Sequence, residues 1–170
     1  MSGKQSRNLG VLFELEIGTM LRACGAFLPK FPDRVCQPSQ FDFIGALNSV
    51  PVGVECKATR RDVILVGDEK YRLHWEFSAA GGVAFLALGF RDPNSAGIAF
   101  LVPFRTVLDV MSSSIVRKSI NRITRDWAEK NLEHFALHRL TGGWKLSSDH
   151  ACSAFFSEGE RRCQNNQIWP

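Results

Sequence analysis

The pattern of apolar and polar positions predicts a helix, a hairpin and then a series of alternating strands and helices. Apolar residues recur at helical spacing from Asn8, a candidate N-cap, to Cys24, and Gly25 is a natural stop. Prolines between residues 29 and 39 indicate a loop. Strands are predicted over 41–47 and 50–58, with the turn candidate Asn48-Ser49 between them.

The remaining part of the chain continues this alternation as far as residue 138. The further predicted elements are strands over 63–66, 83–90 and 98–102 and helices over 68–80, 106–111 and 121–138. Their order predicts an α/β fold in which a mixed β-sheet is flanked by helices. We expect one domain over residues 1–147, and residues 148–170 as a C-terminal tail or an irregular cap of that domain.

Composition narrows the class of protein. The 170 residues are 45% hydrophobic and 22% charged, which is ordinary for a globular domain. No apolar run reaches membrane-spanning length and no secretion signal is visible, so we expect no membrane partner and a cytoplasmic location. The 5 cysteines form no C-x-x-C pair and predict free thiols. A net charge of +4 permits nucleic-acid binding without requiring it.

The candidate chemistry lies in the second strand of the predicted hairpin. Because strand side chains alternate between faces, Gly53, Glu55 and Lys57 share one face. A two-residue loop at Asn48-Ser49 places Asp42 directly opposite Glu55, with Cβ atoms about 5 Å apart. Two such carboxylates repel each other unless a cation lies between them. Hard oxygen ligands suit Mg²⁺, with Mn²⁺ as the alternative.

Glu14 is a further candidate for the same site. Gly10 and Gly18 lie one helical turn before and after it, so this helix face is expected to approach the sheet closely. Gly53 is expected to leave room for a ligand beside Glu55.

An aspartate followed by Glu-x-Lys at the end of an apolar strand resembles the PD-(D/E)xK nucleases, which have a restriction-endonuclease-like fold. More specifically, the chain is similar to the RecU-type Holliday junction resolvases. The stretches that carry this resemblance, in the family's order, are Asn8–Glu14, Phe41–Gly45, Val54–Thr59, Gly81–Leu86 and Arg117–Ile120. The family's long stalk before the aspartate is absent here, and this compact layout is closer to archaeal-type or phage resolvases.

The resemblance implies a Mg²⁺-dependent endonuclease that resolves four-way DNA junctions by paired symmetric nicks, leaving 5′-phosphate ends. It makes Asp42, Glu55 and the Cys56 carbonyl metal ligands and Lys57 the stabiliser of the transition state. Glu14 becomes the acid contributed by the first helix. The family also has a glutamine near the metal, and ungapped counting places His74 at its position, where a histidine could ligate the metal or act as a base. A plain core or surface role for His74 is the alternative. The resemblance also implies a location at the nucleoid, or in the host cytoplasm if the protein is phage-encoded. Two symmetric cuts imply a C₂ homodimer.

Basic residues are candidates for contacts to DNA phosphates, which position the protein without reading sequence. They are Lys30, Arg60, Arg61, Arg117 and Lys118. Another repair or restriction-like nuclease of the same superfamily and a non-catalytic DNA-binding module are the alternative functions.

A zinc site is a competing interpretation of the histidines. His134 and His138 have i, i+4 spacing on a predicted helix, which suits zinc, although the glutamate of H-E-x-x-H is missing. His150, Cys152 and Cys163 follow without a familiar spacing.

Overall fold

The computed structural model describes residues 3–29, 41–92, 97–113, 122–140 and 143–146. It begins with helix α1 (Gly3–Ala23), followed by the hairpin of β1 (Phe43–Leu47) and β2 (Val50–Thr59). The later elements are β3 (Val63–Leu65), α2 (Asp68–Ala79), β4 (Val83–Phe90), β5 (Ile98–Pro103), α3 (Phe104–Ser113), β6 (Arg122–Thr124), α4 (Arg125–Asn131), a 3₁₀ turn (Glu133–Phe135), β7 (Ala136–Leu140) and β8 (Gly143–Leu146).

The predicted mixed sheet is confirmed. Within the described residues, 6 strands form one sheet in the order β1-β2-β4-β5-β7-β8, and β3 pairs with β6 in a separate two-stranded ribbon. β2 and β4 are parallel, whereas the other neighbours in the large sheet are antiparallel. Parallel strands need a crossover connection, and α2 lies within the one that joins β2 to β4.

The two faces of the sheet bury different partners. Helix α1 packs Phe13 and Ile17 against the face that carries Val54 and Cys56 of β2. The opposite face of β4 packs against the β3–β6 ribbon, α3 and α4. All residues of β4 are buried, as its uninterrupted apolar run predicts for a strand covered on both faces.

The hairpin turn sets the register on which the candidate site depends. Asn48 and Ser49 both have positive φ, 49° and 66°, which is the conformation of a type I′ turn. The turn pairs Leu47 with Val50 and Phe43 with Val54. This register confirms the prediction, because the next pair outward would place Asp42 opposite Glu55.

Two features of the helix predictions were wrong. Helix α1 begins before Asn8, which therefore lies inside the helix and is not its N-cap. The long helix predicted over 121–138 is instead β6, the short α4, a 3₁₀ turn and β7. Thr124 caps α4, since its hydroxyl accepts a hydrogen bond from the Trp127 amide. Pairing of Ala136 with Phe100 of β5 draws the following residues into the sheet.

Strand β8 was not predicted, and one buried tryptophan explains its position. The Trp144 indole donates a hydrogen bond to Glu16 Oε2 on α1 at 2.7 Å. Arg91 forms an ion pair with the same carboxylate, and its guanidinium lies over the Phe13 and Trp144 rings, 5.6 Å from each centroid. Trp144 is thus a packing residue.

We expect Ser49→Gly to stabilise the protein. Ser49 has a left-handed backbone conformation, which costs a residue with a Cβ about 1 kcal/mol, and Asn-Gly is the preferred type I′ pair. The free energy of unfolding should rise by about 0.5–1 kcal/mol in urea denaturation followed by circular dichroism. Ser49→Ala is the control and should give no gain, since it keeps the Cβ. Equal stability of the two variants would contradict the turn assignment.

Candidate active site

Glu55 lies at the centre of the candidate site. Its side chain is 1% exposed, so its negative charge needs compensation within the protein. Lys57, two residues along the same face of β2, places Nζ 2.6 Å from Glu55 Oε1. The period-two pattern of the strand thus brings the carboxylate and the ammonium group into direct contact, as predicted.

Asp42 lies immediately before β1 and is held against β2. Its Oδ2 accepts a hydrogen bond from the Cys56 amide at 2.7 Å. The pKa of Asp42 is raised from 3.8 to about 6. Burial is the largest cause, the negative charges of Glu55 and Glu14 act in the same direction, and the Cys56 amide and Lys57 oppose the increase. The structure therefore brings Glu55, Lys57 and Glu14 within electrostatic reach of Asp42.

The ammonium group of Lys57 is stabilised by its acidic neighbours. Burial alone would lower the pKa of Lys57, but the ion pair with Glu55 and the nearby Asp42 raise it above its ordinary value. Lys57 therefore carries a positive charge at neutral pH, which is the form needed to contact a phosphate.

Lys70, in the first turn of α2, was missed from the sequence. Its Nζ lies 2.9 Å from Glu55 Oε2, and its side chain is 10% exposed. Each oxygen of the Glu55 carboxylate therefore contacts its own ammonium group. The sequence feature that could have indicated Lys70 is its i, i+4 spacing from His74, which places both residues on one face of α2.

The expected ligand space beside Gly53 is filled by an aromatic ring. A Cβ at Gly53 would lie 2.8 Å from Cε2 of Phe41, so the missing side chain makes room for Phe41 and not for a ligand. The Phe41 ring also contacts the rings of His74 and Phe77, with centroids 4.8 and 5.0 Å apart. The prediction of an open space here was wrong.

The close approach of α1 depends on only one of the two glycines proposed for it. A Cβ at Gly18 would lie 3.0 Å from the Phe43 ring, whereas a Cβ at Gly10 would meet nothing within 4 Å. The missing side chain at Gly18 therefore allows α1 to pack closely against Phe43 of β1. The orientation of α1 leaves Glu14 near Asp42, while Glu16 pairs with Arg91.

His74 is completely buried between aromatic rings. Neither of its ring nitrogens has a hydrogen-bond partner among the described residues. Its centroid lies 4.3 Å from that of Phe104. Burial, together with the positive charges of Lys70 and Lys57, lowers the pKa of His74 to about 3. The imidazole is therefore neutral at physiological pH, and its assignment as a metal ligand stays a prediction.

The oxygen donors suit a divalent cation that keeps part of its hydration shell. Within the described ranges, no three acidic, histidine or cysteine side chains form a ready-made metal cluster. Asp42 and Glu55 supply two carboxylates, and Mg²⁺ is commonly bound by one or two carboxylates with water and phosphate oxygens completing its octahedron. The pKa of Asp42 is raised by burial and by the neighbouring negative charges, and a cation would offset both effects. The residues present thus fit Mg²⁺ or Mn²⁺.

The predicted DNA-contacting residues are only partly described. Arg60 and Arg61 are exposed directly after β2, where the Thr59 hydroxyl accepts a hydrogen bond from the Arg61 amide. Lys30, Arg117 and Lys118 lie outside the described residues.

The helical zinc motif is not formed. His134 lies in the 3₁₀ turn and His138 in β7, so they do not share a helix face. His150, Cys152 and Cys163 lie outside the described residues. Cys24 and Cys56 are reduced thiols outside any disulfide bond, as predicted.

None of the described helices combines the length and the apolar character needed to span a membrane.

Comparison with solved structures identifies the fold. Archaeoglobus fulgidus Hjc, a Holliday junction resolvase from an archaeal hyperthermophile, matches with a TM-score of 0.53 and 15% sequence identity, over 72% of this chain and 94% of that one. The chain has the restriction-endonuclease-like fold. No protein-family model and no curated protein sequence matches. The fold predicted from the sequence is thus confirmed, and the similar structure is that of an archaeal resolvase and not of a RecU-type protein.

We expect Asp42→Asn to stabilise the metal-free protein at pH 8. Because the pKa of Asp42 is raised on folding, the folded state holds its proton at a higher pH than the unfolded chain does. Stability therefore falls as pH rises from about 4 to about 6 and stays low above that range. Asparagine keeps an acceptor for the Cys56 amide and removes the charge, so it should add about 1–3 kcal/mol at pH 8 and little at pH 4.5.

Urea unfolding in the presence of a chelator measures this difference. Asp62→Asn removes an exposed carboxylate in the turn after β2 and serves as the matched control, with little effect expected at either pH. A destabilised Asp42→Asn variant at pH 8 would show that the carboxylate is not under electrostatic repulsion.

Proposed function

We propose that this protein is a Mg²⁺-dependent endonuclease that cuts branched DNA, with the four-way junction as its substrate. One observation supports the proposal: Asp42 directly precedes the Phe43–Val54 pair and accepts a hydrogen bond from the Cys56 amide at 2.7 Å, while Lys57 Nζ lies 2.6 Å from Glu55 Oε1. The fold likeness to a Holliday junction resolvase supports the choice of a junction over other DNA. A RecU-type specificity without the stalk, and the dimer that two symmetric cuts require, belong to the same proposal.

The residues of the candidate site would have separate roles in the hydrolysis of a phosphodiester bond. Asp42 and Glu55, with Glu14 and the Cys56 carbonyl, would hold the divalent cation. When bound, such an ion polarises the scissile phosphate and lowers the pKa of a coordinated water. Hydrolysis of the scissile bond would join the water oxygen to phosphorus and release the 3′ oxygen, which takes up a proton, so that a 5′-phosphate and a 3′-hydroxyl result. The Lys57 ammonium would neutralise charge that develops on the phosphate oxygens.

DNA would reach the site past the end of β2. Arg60 and Arg61 follow Lys57 closely along the chain and are both exposed. Arginine side chains at that position can contact backbone phosphates on either side of the scissile bond, which positions the strand. Lys30, Arg117 and Lys118 are proposed for the same role from the sequence alone.

We expect Glu55→Gln to abolish cleavage and Lys57→Ala to slow it about a hundredfold or more, since removal of one preorganised electrostatic group has that effect in enzymes. The measurement is nicking of a labelled four-way junction in Mg²⁺, compared with a flap and a linear duplex of the same sequence. A chelator should stop the reaction, and Mg²⁺ or Mn²⁺ should restore it.

Arg72→Gln is the matched control for these variants, because Arg72 is 78% exposed on α2 and pairs only with a residue of its own helix in the contacts described. Its cleavage rate should equal that of the unaltered protein. Undiminished cleavage by Glu55→Gln or Lys57→Ala would reject this site. Equal cutting of all three DNAs would favour a general repair nuclease, and junction binding without any cut would favour a non-catalytic module.

A further inference from the structure

The Glu55 carboxylate contacts two lysines that differ in exposure. Lys57 contacts Oε1 at 2.6 Å with its side chain 33% exposed, and Lys70 contacts Oε2 at 2.9 Å with its side chain 10% exposed. Lys57 therefore has a route to solvent, whereas Lys70 is enclosed between α2 and the sheet. One oxygen of the Glu55 carboxylate thus contacts a lysine that can move into solvent, and the other oxygen contacts a lysine that is held in place.

The location of Lys70 is costly for a residue whose role is folding alone. It lies in the first turn of α2, at the positive end of the helix dipole, where a cation is disfavoured. Enclosing an ammonium group also removes its hydration. A single carboxylate needs only one positive charge for neutrality, and Lys57 already supplies it to Glu55. The second ammonium group therefore calls for an explanation beyond charge balance.

We propose that Lys70 is a resident cation of the active site, which holds Glu55 Oε2 in place of a divalent ion and limits the site to one metal ion. This inference rests on the proposed nuclease function. Nucleases that use two metal ions hold them about 3.5–4 Å apart between shared ligands. An ammonium group 2.9 Å from Oε2 already occupies the space on that side of the carboxylate and repels a second dication.

The two lysines then have separate tasks. Lys57, the more exposed partner, exchanges its contact with Glu55 for the metal ion and the substrate phosphate. Lys70 keeps its contact throughout and fixes the orientation of the carboxylate. Lys70 is a positioning residue in this scheme, because it acts through Glu55 and not on the substrate.

The test is direct titration of Mn²⁺ into the DNA-free protein, by calorimetry and by the loss of the free-ion electron paramagnetic resonance signal. The unaltered protein should bind one Mn²⁺ per chain at the site. Lys70→Gln should bind Mn²⁺ about ten- to a hundredfold more tightly, since a charged hydrogen bond is released from the carboxylate, and should admit a second ion. Lys70→Arg keeps the charge and should behave as the unaltered protein.

Arg72→Gln controls for the general loss of one positive charge from α2 and should leave Mn²⁺ affinity unchanged. Circular dichroism and thermal melting establish that each variant is folded. A purely structural ion pair would change the melting temperature of Lys70→Gln without tightening Mn²⁺ binding, and that result would overturn the proposal. If Lys70→Gln does not fold, two Mn²⁺ ions per unaltered chain would overturn it, and one ion in both the unaltered and Lys70→Arg proteins would support it.

Cleavage assays separate this inference from the proposed function. Tighter Mn²⁺ binding by Lys70→Gln, in a protein that cuts no DNA, would support the role of Lys70 and reject the nuclease. Junction cleavage that depends on Glu55 and Lys57, with two bound ions in the unaltered protein, would support the nuclease and reject the resident cation.

Discussion

The buried charge of Glu55 is the constraint around which this fold is arranged. An ionised carboxylate that is 1% exposed is tolerated only where cations and hydrogen bonds compensate its lost hydration. Lys57 supplies a compensating charge from the same strand, and Lys70 adds a second ammonium group from α2. The contact between Lys70 and Glu55 links the first turn of α2 to β2, and His74, one helical turn further along α2, contacts the Phe41 ring.

Local rules were sufficient to predict the part of the site that lies on the hairpin. Asn48 and Ser49 adopt a two-residue type I′ turn, and the strict alternation of side chains along β2 then decides which residues share a face. Both rules act over a few residues, so the proximity of Asp42, Glu55 and Lys57 could be predicted from the sequence. The α/β class followed in the same way from the uninterrupted apolar run of β4.

The errors lie where distant parts of the chain decide the outcome. The helix predicted through His138 ended early because Ala136 pairs with Phe100, a strand partner that helical periodicity does not reveal. Gly53 leaves space, but the ring that fills it comes from Phe41, at the start of the other strand. Lys70 was missed for the same reason, since a charged residue in a first helical turn is usually exposed and only the docking of α2 buries it.

The two carboxylates of the site are electrostatically unequal, and this difference bears on where a cation is needed. Glu55 has an ammonium group at each oxygen, so its charge is already more than balanced. The charged form of Asp42 is stabilised by an amide and by Lys57, while burial, and then the negative charges of Glu55 and Glu14, raise its pKa to about 6. The excess negative charge therefore lies on the Asp42 side, where α1 meets the hairpin. In the proposed function, a divalent ion attracted to that side would meet Glu55 through the oxygen that Lys57 contacts. Binding of the metal and the phosphate contact of Lys57 would then be coupled, since Lys57 would have to leave Glu55 before the ion could bind there.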